Sequence, residues 1–304
     1  MKKHLSLGGT ALLFIALVCF SSRAAEGARQ GLSLCGNTLA PSLFPFFVLS
    51  NLLSALGLPD LLGQKLEPLA RRMFRVSGCG AQAFFLGISG GYPLGASVTA
   101  DLRRNGQISR GEAQRLLAFC NNSGPAFILG AAGGVFASPK AGLLLYGAHV
   151  LAALCTGLLF RGKDTGGDEP PRPPAEPLSF GAAFPAAVTK ALSSTIAVCG
   201  YVILFSALLN LFVLPDSFSP LARAMLSGFL ELGSGIAAFR GLPPTPLHLA
   251  RAAFLLGWGG VSVHLQTLGV IADTDITCSL HLPGRALCGI LAGIFTWLGA
   301  LLLL

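Results

Sequence analysis

The sequence predicts an all-α polytopic membrane protein, arranged as an inverted repeat with re-entrant hairpins and broken transmembrane helices. Three observations carry this prediction. Of the 304 residues, 53% are hydrophobic and 11% charged, with a mean hydropathy of +0.69, whereas a soluble globule carries about 25% charged residues. Runs such as Leu32 to Leu58, Ala141 to Phe160, Ala186 to Leu214 and Ala286 to Leu304 reach the roughly 20 residues that cross a bilayer. Finally, two apolar runs between Phe84 and Ala131 are each interrupted by residues that cannot continue a helix, and the second half of the chain repeats the pattern.

Composition excludes several function classes. The net charge of +8 sits in short loops between spans, which fits positive-inside orientation and argues against a nucleic-acid partner. The eight cysteines are scattered through apolar segments without CxxC or His-paired spacing, so they read as small buried hydrophobes rather than disulfide or metal ligands. No P-loop, dinucleotide fingerprint or metal cluster occurs. No cofactor, metal or catalytic residue is assigned.

Met1-Lys2-Lys3 followed by Leu5 to Phe20 has the basic and apolar regions of a signal peptide, and Ser22-Arg23-Ala24 offers a small-residue cleavage site. In a chain this apolar we read residues 1–30 as a retained N-terminal transmembrane segment, with Lys2 and Lys3 inside. Residues 31 to 57 return. The next loop carries Lys65, Arg71, Arg72 and Arg75, which places it inside. Residues 77 to 101 form a re-entrant hairpin from that side, with Ser89 to Pro93 at its tip, because Arg103, Arg104 and Arg110 follow at once. Ser109-Arg110-Gly111-Glu112 has capping-box spacing, so a helix starts near Arg110 and runs outward through a break at Asn121 to Pro125. Residues 141 to 160 return inside and close a first repeat, 31–160.

Residues 161–182 change character, with Arg161, Lys163, Asp164, Asp168, Glu169 and many prolines. They form a hydrophilic linker, partly extended polyproline. Residues 183–304 form the second repeat. Phe47 to Leu53 resembles Ile203 to Leu209, and Leu69 to Met73 resembles Leu221 to Met225. Ser89-Gly90-Gly91 is matched by Gly233-Ser234-Gly235, and Asn121 to Pro125 by Gly257-Trp258-Gly259-Gly260. An odd number of crossings separates equivalent elements, so the second copy lies upside down. This topology has about seven crossings and puts fifteen of the 21 Lys and Arg inside, Arg285 among them.

The breaks carry the chemistry. Pro125 has no N–H and clashes with the preceding turn, while Gly124 and two Asn favour non-helical backbone. Freed backbone groups in hydrocarbon survive where they line a buried or aqueous cavity. The expected substrate-binding residues are Ser89, Gly90, Gly91, Tyr92, Pro93, Asn121, Asn122, Ser123, Gly124, Pro125, Ser234, Gly235, Gly259 and Gly260. Half-helix N-termini after Pro93 and Pro125 would favour anionic or strongly hydrogen-bonding solutes. Packing alone accounts for the glycines but not for adjacent Asn-Asn and Pro. Glu231 is the acidic residue deep in an apolar run; by default such a charge marks a pathway or coupling site, the alternative being a carboxylate at a hairpin mouth. His264 could pair with it or relay a proton, the equal alternative being a lone membrane histidine satisfied by a carbonyl, which applies more strongly to His149. Lys190 and Arg251 lie near span ends and snorkel.

A second class must be weighed. Gly87-Ile88-Ser89-Gly90 matches the GxSG signature of rhomboid intramembrane serine proteases, and His149 lies on a later span. Nothing before Ser89 supplies their oxyanion segment, and a protease leaves the second repeat unexplained.

The motifs also carry a family likeness. Gly87 to Ala96, then Asn105-Gly106-Gln107-Ile108-Ser109 with Glu112-Ala113, then Phe119 to Pro125 with Phe127 to Gly130, resemble the YlbJ-type sporulation integral membrane proteins. That family belongs to the Gate or nucleoside-recognition group, shared by concentrative nucleoside transporters, ferrous-iron transporters and spore maturation proteins. The likeness is good over residues 31 to 160 and loose beyond. The serine stands one place earlier than the family pattern, and the chain is short for the type. The resemblance implies a bacterial cytoplasmic membrane, including the mother-cell or forespore membrane, and a role in spore formation. The sequence reading is therefore a transporter of a small polar solute, with membrane lipid and other sporulation proteins or a second copy as partners. The alternative is a scaffold of spore assembly that transports nothing.

Overall fold

The computed structural model describes residues 2–162, 176–212 and 218–303. Every regular element among them is helical. The first half runs α1 (Lys2–Cys19), α2 (Ser21–Leu34), a π-turn (Cys35–Leu39), α3 (Ala40–Ala55), α4 (Leu58–Phe74), α5 (Gly78–Gly90), α6 (Leu94–Arg104), α7 (Arg110–Phe119), a second π-stretch (Ala126–Ala132), α8 (Gly133–Val135) and α9 (Pro139–Leu159). The second half runs α10 (Phe180–Leu211), α11 (Pro220–Leu230), α12 (Leu232–Ala237), α13 (Pro246–Trp258), α14 (Gly260–Ile271) and α15 (His281–Leu303). Of the expected linker, residues 163–175 lie outside the described residues, and α10 already begins at Phe180.

Five helical stretches are long and apolar enough to cross a membrane: Ser21–Ala55, Pro139–Leu159, Phe180–Leu211, Pro246–Ile271 and His281–Leu303. The other two expected crossings correspond to shorter apolar helices, Leu7–Cys19 and Ala126–Val135. The expected turn between residues 22 and 31 is not formed. Ser21 to Ala55 stays helical through the π-turn, because residues 21–34 contain neither Pro nor a left-handed position that would stop a helix.

Hydroxyl caps start five of the helices, the expected Ser109 among them. Ser77, Ser109, Ser138, Ser219 and Thr245 each accept a backbone N–H from the first turn of α5, α7, α9, α11 and α13, satisfying donors that a helix start leaves orphaned. Glu112 completes more than a local box: its Oε1 accepts the N–H and the hydroxyl of Ser77, both at 2.7 Å, and so joins the starts of α5 and α7. Small residues then set helix spacing. A methyl at Gly31 would stand 2.9 Å from the Ile203 backbone of α10. Beneath the first hairpin, Phe74, Phe84 and Phe119 pack as a triangle with ring centres 5.1–5.6 Å apart.

A charged cluster defines one end. There Arg103 grips Asp275 through two bonds of 2.8 and 2.9 Å. Arg104 does the same to Asp273 and also reaches Asp101, which in turn holds Lys190 at 2.6 Å. This cluster ties α6, α10 and the segment after α14 together. The Arg103 and Arg104 guanidiniums hold the Asp275 and Asp273 carboxyls below the usual carboxylate range. At the opposite end Phe136 meets Phe239, with centres 5.8 Å apart. Because α14 finishes where α7 starts, the two broken helices, α7 onward and α13–α14, run in opposite directions.

Candidate binding site at the helix breaks

The interruptions of both halves come together. Gly91, at φ +87°, lies so close to Gly124 that a methyl on Gly124 would sit 2.9 Å from the Gly91 Cα. Gly259, at φ +89°, faces the Tyr92 hydroxyl, and Gly260 packs on the carbonyls of Gly228 and Leu230. Thus the α5–α6 tip, the α7 break, the α11–α12 turn and the α13–α14 break converge in the interior.

Arg285 holds this junction, and the expected topology had placed it in an inside loop. The structure corrects that: Arg285 is fully buried on α15, with no carboxylate partner among the described residues. Its guanidinium donates to the Gly257 carbonyl, to Tyr92 Oη at 2.8 Å and to Asn122 Oδ1 at 3.2 Å, and it lies 5.6 Å from the Tyr92 ring centre. Gly257 belongs to the last turn of α13. Asn122 Nδ2 in turn donates to the Phe119 carbonyl at the end of α7. Two helix C-termini, each worth about half a negative charge, therefore converge on one guanidinium. Their opposed dipoles supply the counter-charge that a buried arginine requires.

Two further freed carbonyls find side-chain donors. Leu256 O accepts from both Tyr92 Oη at 3.1 Å and Ser123 Oγ at 3.3 Å. Leu117 O accepts from His281 Nδ1 at 3.0 Å. His281 Nε2 lies 3.1 Å from His264 Nδ1. A carbonyl only accepts, so with both rings neutral His281 carries its proton on Nδ1 and receives one from His264. His264 thus pairs with His281, not with Glu231 as expected. His149 Nε2 accepts the Ser123 N–H at 3.2 Å.

Beside this junction lies a cleft, lined by Tyr92, Ser123, Gly124, Glu231, Gly233 and Gln266 with an apolar wall of Leu39, Leu43, Phe127, Val198, Val202, Leu232 and Val263. About 50 Å³ of it is open to the centre of a water-sized molecule. Glu231 is 2% exposed. It occupies the α11–α12 turn in extended backbone and caps α12, accepting the N–H groups of Gly233 at 2.9 Å and Ser234 at 2.5 Å. It stands at a buried turn rather than in an exposed position.

The other expected residues divide. Asn121 is buried and donates to Thr267 of α14 at 2.9 Å. Pro93 and Pro125 precede helical turns. Ser89 turns away: its hydroxyl bonds Phe85 O of its own helix, and with His149 engaged by Ser123 the serine–histidine contact of a protease is not formed. Gly90 packs against the Leu94 side chain, and Gly235 is helical, packed on Gly228 of α11, so the second-half turn falls at Glu231 rather than at the glycine pair. Ser234 bonds Ser206 and borders a separate polar cleft with Gln30, Asn210 and Arg223. Sequence reading missed Arg285, His281 and Gln266. Lys190, expected to snorkel, pairs with Asp101.

Comparison with known proteins extends the likeness. The Gate family, described as nucleoside recognition, matches residues 38–160. The sporulation integral membrane protein YlbJ of Bacillus subtilis (strain 168) is 34% identical over 317 aligned positions, covering 90% of this chain and 76% of that protein. The resemblance therefore runs well past residue 160. No solved structure matches the chain.

Proposed function

This chain belongs to the YlbJ-type sporulation integral membrane proteins, and from that premise we propose that it acts in spore formation as a membrane transporter of a small polar solute. The observation that carries the reading is the cleft where breaks from both halves meet, with Tyr92, Ser123, Glu231 and Gln266 in its wall. Interrupted helices at a midplane cavity, in two halves of opposite sense, are how many secondary transporters build a site. The opposite senses of the two broken helices support an inverted repeat. The paired breaks favour transport over the scaffold reading, which has no use for polar side chains around a cavity.

Single cysteines at Ser123, Gln266 and Ser234, in a background freed of the eight native cysteines, test the proposal. A small membrane-impermeant thiol reagent is applied to intact and opened vesicles. Labelling at Ser123 and Gln266 whose sidedness changes with conditions is the expected result. Inertness from both sides in a correctly inserted protein would sink transport and leave the scaffold.

A further inference from the structure

The cleft and the arginine junction lie side by side, and their charge balance differs. Arg285 answers two helix C-termini. Glu231 is answered only by the start of one short helix, α12: no Lys, Arg or His pairs with it among the described residues, and its two N–H bonds use one lone pair on each oxygen. A charge buried to this degree is retained where something balances it.

The rest of the polar wall points the same way. Gln266 is 5% exposed, and its Oε1 has no hydrogen-bond partner. Ser123 and Tyr92 both direct their protons to Leu256 O, so both turn oxygen lone pairs to other neighbours. Arg285 is the nearest cation to the Tyr92 hydroxyl, and its two terminal nitrogens are taken by Gly257, Asn122 and Tyr92, with Nε left unpaired. The wall thus holds one negative charge beside an unfilled acceptor, the Gln266 carbonyl, while the Gln266 amide N–H groups also find no partner among the described residues.

We infer that the cleft is a cation site, in which the Glu231 carboxylate and Gln266 Oε1 hold a small monovalent cation or the protonated amine of a solute. One carboxylate and this small volume suit a single positive charge. A calcium site would draw on six to eight oxygens, several of them from carboxylates. The inference rests on the transport reading for its purpose, but the binding step is measurable without transport.

Trp258 provides a native reporter. Its ring stacks on Phe229 with centres 4.9 Å apart, and its Nε1 donates to Phe229 O at 3.0 Å, two residues before Glu231. The chain has two tryptophans, so Trp297→Phe leaves Trp258 alone. The full chain, purified in detergent at neutral pH, is titrated with sodium, potassium or methylammonium chloride at constant ionic strength set by N-methylglucamine chloride. Trp258 fluorescence and melting temperature are both read.

The expected result is a saturable response with a rise in melting temperature, since a ligand that binds only the folded state stabilises it. The sodium, potassium and methylammonium arms identify which cation is held. Glu231→Gln and, separately, Gln266→Leu weaken that response by about tenfold or more, while exchanging chloride for gluconate changes nothing. Silence in both readouts, an unchanged response in folded Glu231→Gln and Gln266→Leu, or a response that follows the anion would overturn the inference. Thiol access at Ser123→Cys is scored in parallel on the cysteine-free chain carrying Trp297→Phe, with the same cation titration repeated on it, so a cleft that is reached but holds no cation refutes this inference and leaves transport standing.

Discussion

Arg285 and Glu231 are both buried ionisable residues in the interior of one membrane protein, yet their surroundings are opposite. The arginine is enclosed by groups that need it: two helix ends, a tyrosine hydroxyl and an asparagine oxygen. The glutamate is held by two backbone N–H groups and faces a cleft. The first charge is balanced within the chain, and the second is left to be balanced from outside. Burial therefore does not by itself separate a structural charge from a functional one; the partner set does.

That contrast is broken most directly at Arg285. Arg285→Met leaves the Gly257 carbonyl and Asn122 Oδ1 without their donor and two helix C-termini without a cation. We expect a loss of about 3–5 kcal/mol, as for breaking other buried ionic contacts, read as collapse of the monodisperse folded fraction in detergent. Arg285→Lys keeps the charge but not the planar fork, so it restores part of the loss. Equal behaviour of the two variants would show that charge plays no part.

Next in size is Gly124→Ala, whose methyl would stand 2.9 Å from Gly91 Cα. Backbone opposes it on that side, so an overpacking cost of about 1–3 kcal/mol is expected in unfolding measurements. A wild-type unfolding curve would mean that the two breaks are not pressed together.

Glu231→Gln sharpens the comparison from the other side. The amide oxygen still caps one N–H, and an unbalanced charge is removed, so stability should stay within about 1 kcal/mol of wild type. If this variant unfolds like Arg285→Met, the two charges do the same job and the distinction fails.

The smallest effect is expected at the ion-pair cluster, whose members are partly exposed and screened by salt. Asp273 and Asp275 have depressed carboxyl pKa values, so their pairing stabilises the fold above the ordinary carboxylate value. That contribution is lost as pH falls through the folded value. Protection of amides 270–276 against hydrogen exchange, corrected for intrinsic rate, should hold from neutral pH down to about pH 4 and fall below it. Loss already near pH 6 would assign that protection to a different group.

The sequence made the breaks legible because Pro125, the Asn pair and the glycines at 257 to 260 have no place in an uninterrupted membrane helix. It did not make their balancing charge legible. Counting Arg285 with the loop charges follows from its position near the start of a long apolar run, where positive residues usually mark the membrane edge. The available signal was His281 and Arg285 four residues apart, on one helical face, with Gly284 on the same turn, where any side chain would strike Ala118. The Glu231 turn was misplaced onto Gly233 to Gly235 because glycine is a weaker breaker than a side chain that caps its own helix. The Ser89 hydroxyl found Phe85 O four residues back, a local bond that no tertiary reading anticipates. Pairs such as Arg104 with Asp273 join residues 169 apart and leave no local pattern to read.

The Leu256 carbonyl has one more consequence. Two hydroxyls of the first half, from the hairpin tip and from the broken helix, hang on this single oxygen of the second half, and one of them already stands at 3.3 Å. Separating the halves by roughly 1 Å along these bonds takes both beyond hydrogen-bonding reach, the longer Ser123 bond first. The Leu256 oxygen is therefore a single point on which two contacts between the halves depend, and a displacement large enough to free Tyr92 has already freed Ser123.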